Sequence, residues 1–137
     1  MNTELETSLN EMWSSAAAQN VEQTLEAFDR VKQASTRADL PTLLNYMRSD
    51  TSDFWLRELL SEPICHFGGC EVLPELFDAL QKGFDEGHDN DGFCHRLMEI
   101  AWEHPVACKQ RLLALLSMPD YKHRQSAEWL LEFCEPP

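Results

Sequence analysis

The spacing of apolar residues is helical along almost the whole chain. No stretch alternates apolar and polar residues for more than a few positions, whereas apolar residues recur three and four positions apart, which is the period of one helix face. The N-terminal region, residues 3–34, carries two such stripes. Asn20 and Gln23 between them have the form of a capping box, so this region can form one long helix or two. The pattern predicts an all-α protein without a sheet.

From residue 38 onward, prolines, glycines and polar residues divide the chain at regular intervals. Asp39 is the expected N-cap of a helix through residue 47, and Ser52 or Asp53 that of a helix ending at Pro63. A turn is expected at residues 65–70 and an exposed polar loop at residues 85–92. The remaining expected helices cover residues 72–84, 93–103, 106–116 and 121–133. The whole chain is expected to form six to eight helices.

Two recurring motifs give these helices the order of a repeat. Leu-Pro followed by apolar residues occurs at residues 40–44 and 73–77, 33 positions apart. An acid and then an arginine follow near the start of each second helix: Asp53 and Arg57, Asp91 and Arg96, Asp120 and Arg124. In this order the chain resembles the HEAT-like repeat family over about residues 38–134.

The resemblance implies a solenoid-like stack of about three antiparallel helix pairs. Its second helices would line a concave surface that holds another protein, and it implies no catalytic residues. Residues 1–36 would then form an N-terminal helical cap over the first pair, because a solenoid otherwise leaves an apolar edge exposed. We expect residues 1–137 to form a single domain.

The net charge of −13 is concentrated in one part of the chain. Residues 50–103 contain 13 acidic and three basic residues, and so carry −10 of that total. Such a charge disfavours nucleic acid and anionic membranes, because both attract basic surfaces. It favours a basic protein partner, whose encounter rate the acidic field would raise.

The acidic second helices and one tryptophan supply the expected partner-binding residues. Trp102 lies at the edge of the apolar face formed by Leu97, Ile100 and Ala101, which makes it the best candidate for an interface anchor. For any single acid, a solvated face without function is the alternative. The expected partner-binding residues are Asp53, Glu58, Glu62, Asp89, Asp91, Glu99, Trp102 and Glu103.

The sequence gives little support for disulfide bonds, metal binding or catalysis. The five cysteines are an odd number and are expected to be reduced and mostly buried. Cys65-His66 with Cys70, and Cys94-His95, lack the spacing of a zinc site. An EF-hand with Gly92 as its glycine would have Gly87 in place of the first carboxylate ligand and Met98 in place of the final glutamate, so that signature fails as well. The first residues have neither a basic start nor an apolar stretch typical of a secretory signal. We expect a cytoplasmic protein without metal, cofactor or enzymatic activity.

Three functions are consistent with these features. The first is a stoichiometric inhibitor or immunity-type protein that neutralises a basic partner such as a toxin. The second is an adaptor or assembly factor that holds a helical peptide. The third is a lyase of the kind that some HEAT-like proteins resemble.

Overall fold

The computed structural model describes residues 2–134, which form eight α-helices. No strand occurs among these residues, so the all-α prediction and the expected number of helices are confirmed. The helices are α1 Thr3–Ala17, α2 Val21–Ala34, α3 Leu40–Arg48, α4 Phe54–Gly68, α5 Leu73–Asp85, α6 Asp91–Glu103, α7 Pro105–Leu116 and α8 Arg124–Leu131. Short 3-10 segments lie before α3 (Arg37–Asp39), before α5 (Gly69–Val72) and after α8 (Glu132–Cys134).

The first of two compact units comprises residues 1–67. Its N-terminal region forms two helices, because the Asn20 side chain caps α2 by accepting a 3.0 Å hydrogen bond from the backbone N–H of Gln23. Helices α1 and α2 lie closely side by side. Leu5, Leu9 and Met12 of α1 are fully buried, and this apolar face holds the hairpin together.

Aromatic and polar contacts join α1 to α3 within this unit. The rings of Trp13 and Tyr46 pack edge to face with 5.2 Å between their centroids, and the Tyr46 hydroxyl donates a 2.9 Å hydrogen bond to Asn10 Oδ1. Helix α1 therefore packs against α3, the first helix of the expected repeat. The solenoid arrangement and the single-domain organisation stay predictions.

One expected side-chain cap and one expected helix end in this unit are wrong. Asp39 occupies the N-cap position of α3 as predicted, but its side chain does not cap the helix, because its carboxylate accepts hydrogen bonds from Thr36 N at 2.8 Å and from Asn2 Nδ2 at 3.0 Å. Pro63 does not end α4, which continues to Gly68. Leu60 and Ile64 on either side of the proline are fully buried, so burial outweighs the hydrogen bond lost at Pro63.

The second unit comprises residues 68–137. The expected turn at residues 65–70 starts only at Gly69, whose φ of +52° favours glycine. The expected loop is also shorter than predicted, because α5 runs to Asp85 and α6 begins at Asp91. Within this unit α7 lies close to α8 and to α6. Its core is formed by Leu73, Leu76, Phe77, Leu80, Leu97, Ala101, Cys108, Leu112, Ala127 and Leu130.

The last helix begins later than predicted. Residues 117–123 form turns, and α8 covers only Arg124–Leu131 before a 3-10 segment. Lys122 and His123 instead place their side chains against the Asp78 carboxylate of α5. These contacts with Asp78 occur where the first helical turn was expected at Tyr121.

Candidate functional site

An open cleft of about 620 Å³ lies in the second unit. This volume falls within the range of about 300–1,000 Å³ that is usual for ligand pockets. Phe84 and Trp129 supply aromatic wall, and Phe84 is 45% exposed although it is a large apolar residue. The lining comes from α5 (Leu80, Gln81, Phe84), α6 (Asp91, Cys94) and the segment leading into and along α8 (Lys122, His123, Gln125, Ser126, Trp129).

One end of the cleft is held by a contact between α5 and the turn before α8. His123 Nε2 lies 2.6 Å from Asp78 Oδ1, and the His123 side chain is only 7% exposed. Lys122 Nζ lies 3.1 Å from the same carboxylate oxygen. Asp78 therefore engages both basic side chains of the cleft lining, and it fixes the orientation of the His123 ring.

Beside this contact lies a set of buried polar atoms. Glu75 Oε2, Arg111 Nε and the Tyr121 hydroxyl are buried and have no hydrogen-bond partner among residues 2–134. Burial, followed by the negative charge of Asp78, raises the pKa of Tyr121 to about 12. Tyr121 is therefore a neutral phenol at physiological pH.

The cleft contains a cysteine and a histidine, so nucleophilic chemistry has to be considered. Cys94 is half-buried on α6 and lines the same cleft as His123. Burial, with a smaller contribution from the charges of Asp91 and Asp89, raises the pKa of the Cys94 thiol. A nucleophilic cysteine needs the opposite shift, because the thiolate is the reactive form. The environment of Cys94 therefore disfavours the thiolate.

The other cysteines are also free thiols. Cys108 and Cys134 are buried, whereas the remaining three are only half-buried, so the expected burial holds for two of the five. Burial raises the pKa of the Cys108 thiol, and the neighbouring thiols of Cys134 and Cys70 add to this effect. No group of three or more histidine, cysteine, aspartate or glutamate residues within 2–134 is arranged to hold a metal ion.

The expected partner-binding residues of the second unit lie on α6 and on the loop before it. Trp102 is 52% exposed and packs edge to face against His95 at 5.9 Å and Phe133 at 6.3 Å between ring centroids. Glu99 Oε1 lies 3.2 Å from His95 Nε2, and Glu103 is exposed. Asp91 lines the cleft, and Asp89 Oδ1 accepts a 3.2 Å hydrogen bond from the Asp91 backbone N–H.

The expected partner-binding residues of the first unit lie on or next to α4. Asp53 caps the helix, because its Oδ1 accepts a 2.8 Å hydrogen bond from Leu56 N. Glu62 forms a 3.5 Å ion pair with Lys32 of α2. Glu58 is half-buried. Two of these three carboxylates are therefore already engaged inside their own unit.

The sequence analysis missed most of the cleft. Asp78 and His123 are 45 residues apart, and no local pattern links them. Phe84 was the only residue whose position in the sequence pointed to the cleft, because it extends the apolar spacing of α5 beyond Leu80 into a region rich in acidic residues.

Among residues 2–134, no helix has the length and apolar character needed to cross a membrane.

Comparison with known proteins does not indicate a function for this cleft. No known protein family matches the chain, and no curated protein or solved structure is significantly similar to it.

Proposed function

We propose that this chain is a non-enzymatic protein-binding module that holds a basic protein partner against the acidic, aromatic face of α6. In this proposal it acts in the cytoplasm as a stoichiometric inhibitor or immunity-type protein, for example against a toxin. The observation that carries the proposal is the exposure of Trp102 on the helix that also carries the acidic residues Glu99 and Glu103.

The surroundings of Trp102 suit an interface anchor. An exposed tryptophan loses water-accessible apolar area on binding, and tryptophan is enriched among the residues that dominate binding energy. Contacts with His95 and Phe133 fix the ring, so little side-chain entropy remains to be lost. The nearby carboxylates would speed the encounter with a basic surface.

The alternative is an adaptor that holds a peptide helix. The cleft of the second unit favours it, because its apolar walls at Leu80, Phe84 and Trp129 are of the kind that receives the apolar face of a helical peptide. The two functions differ in the partner's chemistry: an inhibitor of this type needs a basic surface, whereas the adaptor needs an apolar helix face.

Affinity capture from native lysate at two salt concentrations tests the proposal. The immobilised wild-type chain should retain a basic protein, identified by mass spectrometry, and should lose it at high salt. Glu99→Lys with Glu103→Lys should abolish capture. Glu22→Lys with Glu26→Lys is the matched control, because it makes the same charge change at exposed positions of α2. Equal loss in both double variants, or capture of a neutral helical protein at high salt, would refute the proposal.

A further inference from the structure

The cleft of the second unit combines features that favour one class of side chain. Phe84 and Trp129 form aromatic wall, and Asp91 places a carboxylate at the lining. Asp91 has no cationic partner among residues 2–134, whereas Asp78 is in contact with both Lys122 and His123. Aromatic rings and a carboxylate that line one cleft can offer a cationic side chain a cation–π contact and an ion pair.

The charge of the surrounding unit agrees with a cationic occupant. Residues 68–137 contain 13 acidic and six basic residues, a net charge of −7. The two basic residues that line the cleft, Lys122 and His123, lie against the Asp78 carboxylate. They therefore repel a cationic ligand less strongly than two basic residues without an acidic neighbour would. An anionic ligand would instead meet Asp91 and the negative field of the whole unit.

The cleft also adjoins the anchor of the proposed interface. Phe133 packs against Trp129 of the cleft at 5.4 Å and against Trp102 at 6.3 Å between ring centroids. Trp129 of the cleft and the exposed Trp102 thus both contact the ring of Phe133.

We propose that the cleft binds an arginine side chain of the basic partner, with its aliphatic stem against Phe84 and Trp129 and its guanidinium at Asp91. This inference rests on the proposed function. Arginine fits better than lysine, because the planar guanidinium stacks on aromatic rings and can donate two hydrogen bonds to one carboxylate.

Titration of the ¹⁵N-labelled chain with capped tripeptides tests the inference by NMR. The probes are acetylated, amidated Gly-Arg-Gly and the same peptide with citrulline, which is uncharged and of similar shape, or with leucine. The arginine peptide should shift the Asp91 amide and the Trp129 indole signals and bind at least about threefold more tightly than the citrulline peptide. Equal binding of arginine and citrulline, preference for leucine, or shifts outside the cleft would overturn the inference.

Variants make the result specific to the cleft. Asp91→Asn should remove the preference for arginine over citrulline, and Phe84→Ala should weaken both peptides by about threefold. Glu71→Gln is the matched control, since it removes an exposed acid that does not line the cleft. Urea unfolding of each variant confirms that the second unit remains folded. If Asp91→Asn unfolds the unit, the Phe84→Ala titration and the comparison of peptides on the wild type still decide the question.

The outcome is separable from that of the proposed function. Salt-dependent capture that depends on Glu99 and Glu103, together with no arginine preference in the cleft, would sustain the proposed function and refute the inference. Arginine binding in the cleft without capture of a basic protein would refute the proposed function and sustain the cleft's specificity for arginine.

Discussion

Gly83 lies where α5 packs against the loop that leads to α6. A Cβ atom at this position would lie 2.2 Å from Asn90 Oδ1 and 3.0 Å from Asn90 Nδ2. Asn90 is only 1% exposed, and its φ of 60° is in the left-handed region. Because the Asn90 side chain is enclosed, Gly83→Ala should force it and the loop before Asp91 to shift.

The expected free-energy change follows from two opposing effects. Overpacking a buried position costs about 1–3 kcal/mol, whereas alanine is about 1 kcal/mol better than glycine inside a helix. Gly83→Ala should therefore lower the free energy of unfolding by about 1 kcal/mol. In an Asn90→Gly background the clash is removed and glycine accepts the left-handed backbone. There the same substitution should raise the free energy of unfolding by about 1 kcal/mol.

A double-mutant cycle measured by urea unfolding and circular dichroism tests this reversal of sign. The two substitutions should show a coupling of about 2 kcal/mol. Gly69→Ala is the control, because its φ of +52° is strained for alanine but no atom lies within 4 Å of the added Cβ. Its cost should be the same in the wild-type and in the Asn90→Gly background. If Gly83→Ala changes stability equally in both backgrounds, the contact with Asn90 does not explain the glycine.

Four further predictions concern single residues. Trp102→Ala should change the free energy of unfolding by less than about 1 kcal/mol but speed dissociation of the partner; unfolding of this variant would show that Trp102 is core. The wild type should lose stability as pH rises from about 10 to about 12, because burial disfavours the phenolate of Tyr121 and raises its pKa in the folded state. Tyr121→Phe should lack this loss, and identical pH profiles of the two proteins would contradict the prediction. Asp53→Ala should cost about 1 kcal/mol by removing the cap of α4, as measured by urea unfolding. Alkylation should modify five thiols after denaturation, whereas buried Cys108 should resist it in the native protein, as mass spectrometry would show.

The helices could be predicted from sequence because each carries a long apolar stripe, and such a stripe has one stable way to be buried. The errors occurred where other contacts in the folded chain compete with a local signal. Pro63 is a strong helix breaker, yet Leu60 and Ile64 are buried and α4 continues through it. Asp39 is a good N-cap residue, but Thr36 and Asn2 bind its carboxylate instead.

The candidate site was predictable only in part, for a similar reason. Trp102 could be placed at the surface because it lies off the stripe of Leu97, Ile100 and Ala101, and its exposure confirms that position. The cleft could not be foreseen, because the turn before α8 reaches Asp78 on α5 through contacts between residues distant in sequence.

The acidic residues count equally in the net charge, but in the structure only some of their carboxylates have partners within the chain. Asp53 caps a helix, Glu62 pairs with Lys32, and Asp78 holds Lys122 and His123, so these carboxylates already have partners within the chain. Asp91 and Glu103 have no cationic partner among the described residues. A basic partner would consequently meet fewer available carboxylates than the net charge of −13 suggests. The carboxylates without an internal partner would then carry the salt dependence of association, and the aromatic residues beside them would have to supply much of the lifetime of the complex.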